Sequence, residues 1–154
     1  MKVLQKPYVD INDTLQHIRL QVARSIRYAA ENCPQFDNPQ DLFYWLKSQL
    51  VYRNDPKGNE LLQTMRTLME GSYYGVPGAG DCDCFTITML ACNEVQNYRC
   101  RQWVMLAGRS KQAPVHIYSG VDFKGEQLPL DLTNMTCGYE RDYPLKQKIY
   151  WKPL

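Results

Sequence analysis

A chain of 154 residues with an apolar share of 44% can close one hydrophobic core without covalent staples, and the expectation is a single domain spanning residues 1–154. Its net charge of +2 calls for no nucleic-acid partner. No run approaches ~18 consecutive apolar residues, which excludes a spanning membrane helix.

The six cysteines are read as free thiols rather than a disulfide framework. The N-terminal Met1-Lys2-Val3-Leu4-Gln5-Lys6 is too polar for a secretory segment, so nothing in it directs the chain to an oxidising compartment. The expected location is cytoplasmic.

The first helix is expected from about Asn12 to Asn32, with Leu15, Ile18, Val22, Ile26 and Ala29 on one apolar face. His17 falls off that stripe and reads as a surface residue. Arg19, Arg24 and Arg27 read as a solvated face, and the helix either completes the core or covers a cleft as a lid. A second helix starts at Asn38 as N-cap with Pro39 at its first position and Asp41 in its first turn. Leu42, Trp45, Leu46 and Leu50 are its inward residues, and Asn54-Asp55-Pro56-Lys57-Gly58 ends it. A third helix is expected from Asn59, with Leu61, Leu62, Met65, Leu68 and Met69 inward and Gly71 as its C-terminal cap.

A glycine-rich loop (Gly71, Gly75, Gly78, Gly80) leads into Asp81-Cys82 and an apolar helix from about Asp83 to Gln96. The texture then changes. Arg101 to Ala107, Ala113 to Asp122 and Gln127 to Leu132 read as strands, with Lys124-Gly125 as the turn of a hairpin. Gln147 to Trp151 reads as an edge strand. Helices first and strands later give an α+β fold: N-terminal helices and a central helix packed on an antiparallel β-sheet.

The chemistry concentrates at three positions. Cys82 stands where a loop becomes a buried helix, at the positive end of the macrodipole, which favours the thiolate. The glycines before it allow close approach of a ligand, and the helix end offers a free backbone N–H beside the sulfur. The plainer reading is a small buried residue at a helix start. His116, in the strand Pro114-Val115-His116-Ile117-Tyr118, faces opposite to its neighbours. If the Cys82 helix packs on that face, the imidazole reaches the sulfur and an ion pair follows; otherwise His116 is a satisfied core histidine. Asp131, between Leu130 and Leu132, either orients His116 or faces solvent. Cys, His and Asp together are the parts of a thiol nucleophile: attacker, base and orienter. Cys82-Asp83-Cys84 could also be half of a metal site with Cys100 or His116, but one-residue spacing is not the usual zinc pairing. A redox pair is a weaker reading. Cys92 and Cys100 read as buried thiols.

Gly80-Asp81-Cys82-Asp83 before an apolar helix, then Val115-His116-Ile117, then Leu130-Asp131-Leu132-Thr133, resembles the transglutaminase-like (papain-like) cysteine-protease superfamily. The stretch Phe43-Tyr44-Trp45-Leu46 through Val51-Tyr52 is similar to the helix that precedes the nucleophile in that superfamily. The resemblance covers roughly residues 41–134 and implies a papain/transglutaminase-like fold. It further implies cysteine-dependent acyl transfer, foremost hydrolysis of a peptide or amide bond. Cys82 would be nucleophile, His116 base and Asp131 orienter, with no cofactor and no metal. It implies a peptide or protein substrate. Small stand-alone members of this kind are familiar from bacteriophages, which adds virion proteins as partners and a virion-associated location. Position 84, often acidic or polar in such proteins, is a thiol here. Transglutaminase-type cross-linking shares every residue of this reading. A non-catalytic phage assembly protein retaining the fold is the alternative from another class. Trp45 is either a second oxyanion donor, as a tryptophan is in true transglutaminases, or plain core packing. Tyr73 and Tyr74 either line the cleft or are ordinary loop aromatics.

Overall fold

The computed structural model describes residues 3–7, 10–109 and 114–154. Its elements run β1 (Val3–Pro7), α1 (Ile11–Asn32), α2 (Pro39–Lys47), β2 (Val51–Tyr52), β3 (Asn59–Gln63) and α3 (Met65–Glu70). They continue with β4 (Ala79–Gly80), α4 (Cys82–Glu94), β5 (Arg101–Gly108), β6 (Pro114–Phe123), β7 (Glu126–Leu130) and β8 (Leu145–Tyr150). The fold is α+β, as expected. The main sheet is antiparallel, in the order β7-β6-β5-β8.

Local signals set most boundaries. The Asp10 carboxylate caps α1 by accepting from Asp13 N at 2.9 Å, and Asn38 caps α2 by accepting from Asp41 N at 2.8 Å. Ile18, Val22 and Ala29 of the α1 stripe are buried, while Leu15 and Ile26 are partly so. His17 is a third exposed, its Nδ1 on the Asp13 carbonyl. Lys124 and Gly125 take φ of 50° and 79° between Phe123 and Glu126, which is the two-residue hairpin turn expected there. The β6 strand begins at Pro114; Ala113, where it was expected to begin, lies outside the described residues.

Two expectations are corrected, both by strand pairing. The second helix stops at Lys47 instead of running on to Tyr52. Val51 N and Arg53 N donate to the carbonyls of Gly78 and Gly80, which draws residues 51–52 into a parallel pair with β4. The expected third helix from Asn59 is split. Residues 59–63 pair antiparallel with β1, Val3 opposite Gln63 and Pro7 opposite Asn59. The helix starts only after Thr64, whose hydroxyl caps it through Thr67 N. Gly71 caps its C-terminus, as expected.

The core forms around α4. Ten of its residues are buried, from Cys84 to Asn93, so it is enclosed on all sides. It packs against α1, α2 and α3 on one side and against Val104, Leu106, Ile117 and Val121 of the sheet on the other. The opposite sheet face carries Trp103, Met105, Ala107 and Tyr118. Full burial of each large apolar side chain here contributes about 1.5–3 kcal/mol.

Candidate active site

Asp81 sets the position of Cys82. Its carboxylate accepts from Asp83 N at 3.1 Å, making Asp81 the N-cap and Cys82 the first residue of α4. The helix therefore starts one residue earlier than the apolar pattern suggests. At that position the Cys82 N–H has no intrahelical acceptor and points out of the helix end. The loop before it is close-packed. A Cβ on Gly80 would lie 2.9 Å from Cys84 Cβ, and one on Gly78, at φ +83°, would lie 1.9 Å from the Gln49 carbonyl oxygen.

Asp131 and His116 meet directly. Asp131 is the first residue beyond β7, and its Oδ2 lies 2.7 Å from His116 Nε2. Their side chains are 3% and 11% exposed, so the pair is screened from water. Asp131 Oδ1 accepts from Thr133 N at 3.0 Å and Thr133 Oγ1 at 2.7 Å, and Asn134 Nδ2 lies 3.3 Å from Oδ2. Burial acts to raise the Asp131 pKa, but the bonds from His116 and Thr133 outweigh it and hold the carboxylate below its usual range. The reading of Asp131 as a solvated strand residue is thus excluded. With Nε2–H donating to a carboxylate, Nδ1 carries the free lone pair.

Cys82 comes to this pair by an unexpected route. The α4 helix packs on the Ile117 face of the sheet, whereas His116 shares the opposite face with Tyr118. The condition that α4 lie on the imidazole's own face is therefore not met. Instead, β7 stops pairing at Leu130 opposite Ser119, leaving β6 open on that side from Tyr118 back toward His116. The first turn of α4 sits at this open edge. The Ile117 backbone N–H faces the Cys82 sulfur. Thr86 Oγ1 lies 2.8 Å from the Cys82 carbonyl oxygen and 3.4 Å from that of Ile117, locking helix to strand. No hydrogen bond joins the Cys82 sulfur to the His116 ring.

The electrostatics of Cys82 also differ from expectation. Burial, then the Asp83 and Asp81 carboxylates, push its thiol well above the ordinary value, against the Ile117 N–H that lowers it. The helix end alone does not produce a resting thiolate. Asp81 is itself raised well above the usual carboxylate range by burial and by Asp83 and Asp55. Tyr52, half exposed and packed edge-on against Phe85, has its phenol pushed up to about 12 by burial and then by Cys82 and Asp81. It borders Cys82, a position not foreseen from sequence.

The remaining candidates fall outside this centre. Cys84 is fully buried, its thiol 3.1 Å from Leu61 O and 3.5 Å from Gln63 N, where it ties α4 to β3. Among the described residues, the metal-type side chains that converge within 4.8 Å are Asp55, Asp81 and Asp83; Cys84, Cys100 and His116 are not among them. All six cysteines are free; Cys92 is buried as expected and Cys100 is partly buried against the core. Trp45 packs on Phe36, ring centroids 6.0 Å apart. Tyr73 and Tyr74 pack edge-on against each other, and the Tyr74 hydroxyl donates to Asn54 O. Arg27 pairs with Glu31 on a solvated face, and Arg19 reaches the carbonyls of Lys152 and Pro153. Among the described residues, no helix is long and apolar enough to cross a membrane.

No family model and no curated protein matches the chain significantly. A solved structure described as the crystal structure of a TGase shows a distant similarity to it, with a TM-score of 0.40 and 13% identity. The similarity spans 83% of this chain but only 34% of the other. A likeness this distant assigns no residue its role.

Proposed function

We propose that this protein carries out cysteine-dependent acyl transfer, foremost hydrolysis of a peptide or amide bond in a peptide or protein substrate. The observation that supports it most is the buried 2.7 Å bond between His116 and Asp131, set at the sheet edge where the N-terminus of α4 presents Cys82. Such a pair holds an imidazole in one tautomer and stabilises the imidazolium that forms from it.

Cys82 rests as a thiol in this reading. As a carbonyl enters, His116 Nδ1 takes the Sγ proton and the sulfur attacks the carbonyl carbon. The oxyanion forms beside the Cys82 N–H at the helix N-terminus. The imidazolium then gives its proton to the leaving amine, the C–N bond breaks, and a thioester remains on Cys82. Water resolves it with His116 again as base; an amine entering instead would give cross-linking.

The raised Cys82 thiol favours a second reading, a non-catalytic protein that keeps the fold, for which a phage assembly role is the alternative proposal. Iodoacetamide labelling, read by peptide mass spectrometry, separates the two. The acyl-transfer reading expects Cys82 to be alkylated at neutral pH faster than Cys137, a thiol raised to about 11 by burial, and to slow severalfold in His116→Ala. Labelling no faster than Cys137 and indifferent to His116 would favour the assembly protein.

A further inference from the structure

The connection from β7 to β8, residues 131–144, is held against the sheet at several points. Asn134, 4% exposed, places its Nδ2 3.3 Å from Asp131 Oδ2 and 3.1 Å from Tyr139 O, while its Oδ1 accepts from Arg141 Nε at 3.2 Å. Glu140 Oε2 accepts from the Tyr118 hydroxyl at 2.5 Å, and Lys146 Nζ lies 3.9 Å from its other oxygen. These bonds fix the backbone on both sides of Tyr143. Its ring stacks on the His116 imidazole with centroids 5.7 Å apart and planes at 27°. Tyr118 packs on the same imidazole at 5.4 Å and 33°.

A single hydrogen bond at Nε2 leaves the imidazole free to tilt about that contact. An aromatic neighbour nearly parallel to it removes that freedom, because offset stacking is lost when the ring turns edge-on. We propose that Tyr143 is a positioning residue for His116, its stacked ring holding the imidazole plane so that Nε2 stays on Asp131 and Nδ1 stays open. The phenol hydroxyl is not required. The consequence for Cys82 rests on the acyl-transfer reading; the effect on the ring does not.

The chain has two histidines, so ring proton–nitrogen NMR resolves His116 from His17. In the wild type and in Tyr143→Phe, His116 should show one tautomer with the proton on Nε2 and a slowly exchanging Nε2–H resonance. In Tyr143→Ala, and in Tyr143→Leu, which keeps an apolar cover without a plane, the resonance should broaden or vanish and the tautomers mix. Cys82 alkylation should fall severalfold in both and be restored in Tyr143→Phe. An unchanged His116 spectrum in folded Tyr143→Ala or Tyr143→Leu would overturn the proposal, as would its loss in Tyr143→Phe. A changed spectrum, with wild-type alkylation indifferent to His116→Ala, would uphold the positioning role and reject the acyl-transfer reading.

Discussion

The Asp131 carboxylate accepts from both polar groups of Thr133 on one oxygen and from His116 and Asn134 on the other. Its pKa is lowered, so the stability it contributes is present above the unfolded carboxylate value of ~3.9 and is lost as pH falls through the folded one. Asp131→Asn should therefore flatten the acid limb of a urea-midpoint profile, and an unchanged limb would place that stability elsewhere. If the protein acts by acyl transfer as proposed, the variant should also keep the fold while slowing acylation by at least roughly a hundredfold, since an amide no longer favours the imidazolium. Asp81 has the opposite sign. Its pKa is raised, so the proton it retains favours folding below ~3.9 and that gain disappears as pH rises through the folded value. Asp81→Asn keeps the N-cap and should stabilise the protein by on the order of 1 kcal/mol near neutral pH, measured by denaturant melts. Cys82, His116 and Asp131 are legible because each breaks a local pattern: a thiol at a helix mouth, a lone histidine in a strand, a carboxylate between leucines. Thr133 and Asn134 carry a weaker signal, since Asp-x-Thr-Asn is turn chemistry. Tyr118, two residues along the same strand, shares the His116 face by alternation; Tyr143 carries no signal, because its stacking on His116 arises only when the chain folds back.

Among the elements, α1, α4 and the hairpin were readable because their signals are local: caps, apolar stripes and a Lys-Gly turn. The failures at residues 48–52 and 59–63 share one cause. Both segments carry helix-compatible apolar spacing, and residues 51–52 and 59–63 become strands because a distant backbone offers its hydrogen bonds, β4 to one and β1 to the other. Spacing does not report such pairing. The loop that feeds α4 is the most constrained link. Gly78 combines a left-handed φ with a Cβ position only 1.9 Å from a carbonyl oxygen. Gly78→Ala should cost at least about 1–3 kcal/mol in a thermal or urea melt, with Gly75→Ala, where nothing lies within 4 Å, the milder of the two. Equal effects would mean that left-handed φ alone dominates.

Across the whole molecule, the site gathers three parts from distant stretches of chain, and the face rule that relates them was only half readable. Strand alternation correctly separates His116 from Ile117, but which face receives α4 is a tertiary outcome. The helix chose the more apolar face, with Ile117, Val121, Val104 and Leu106, and left the imidazole on the other. The Cys82 sulfur meets β6 at the Ile117 N–H, beside an edge left open because β7 ends at Leu130. Attack of Cys82 on an acyl carbon with His116 as its base is tested most directly with p-nitrophenyl acetate, with nitrophenolate release followed at pH near neutral and the acyl group located by peptide mass spectrometry. Attack by Cys82 should give a burst of one equivalent, an acetyl thioester on Cys82, no burst in a folded Cys82→Ala, and a strongly slowed one in His116→Ala. Release without a burst, acetylation at another residue, or a burst that His116→Ala leaves intact would contradict it.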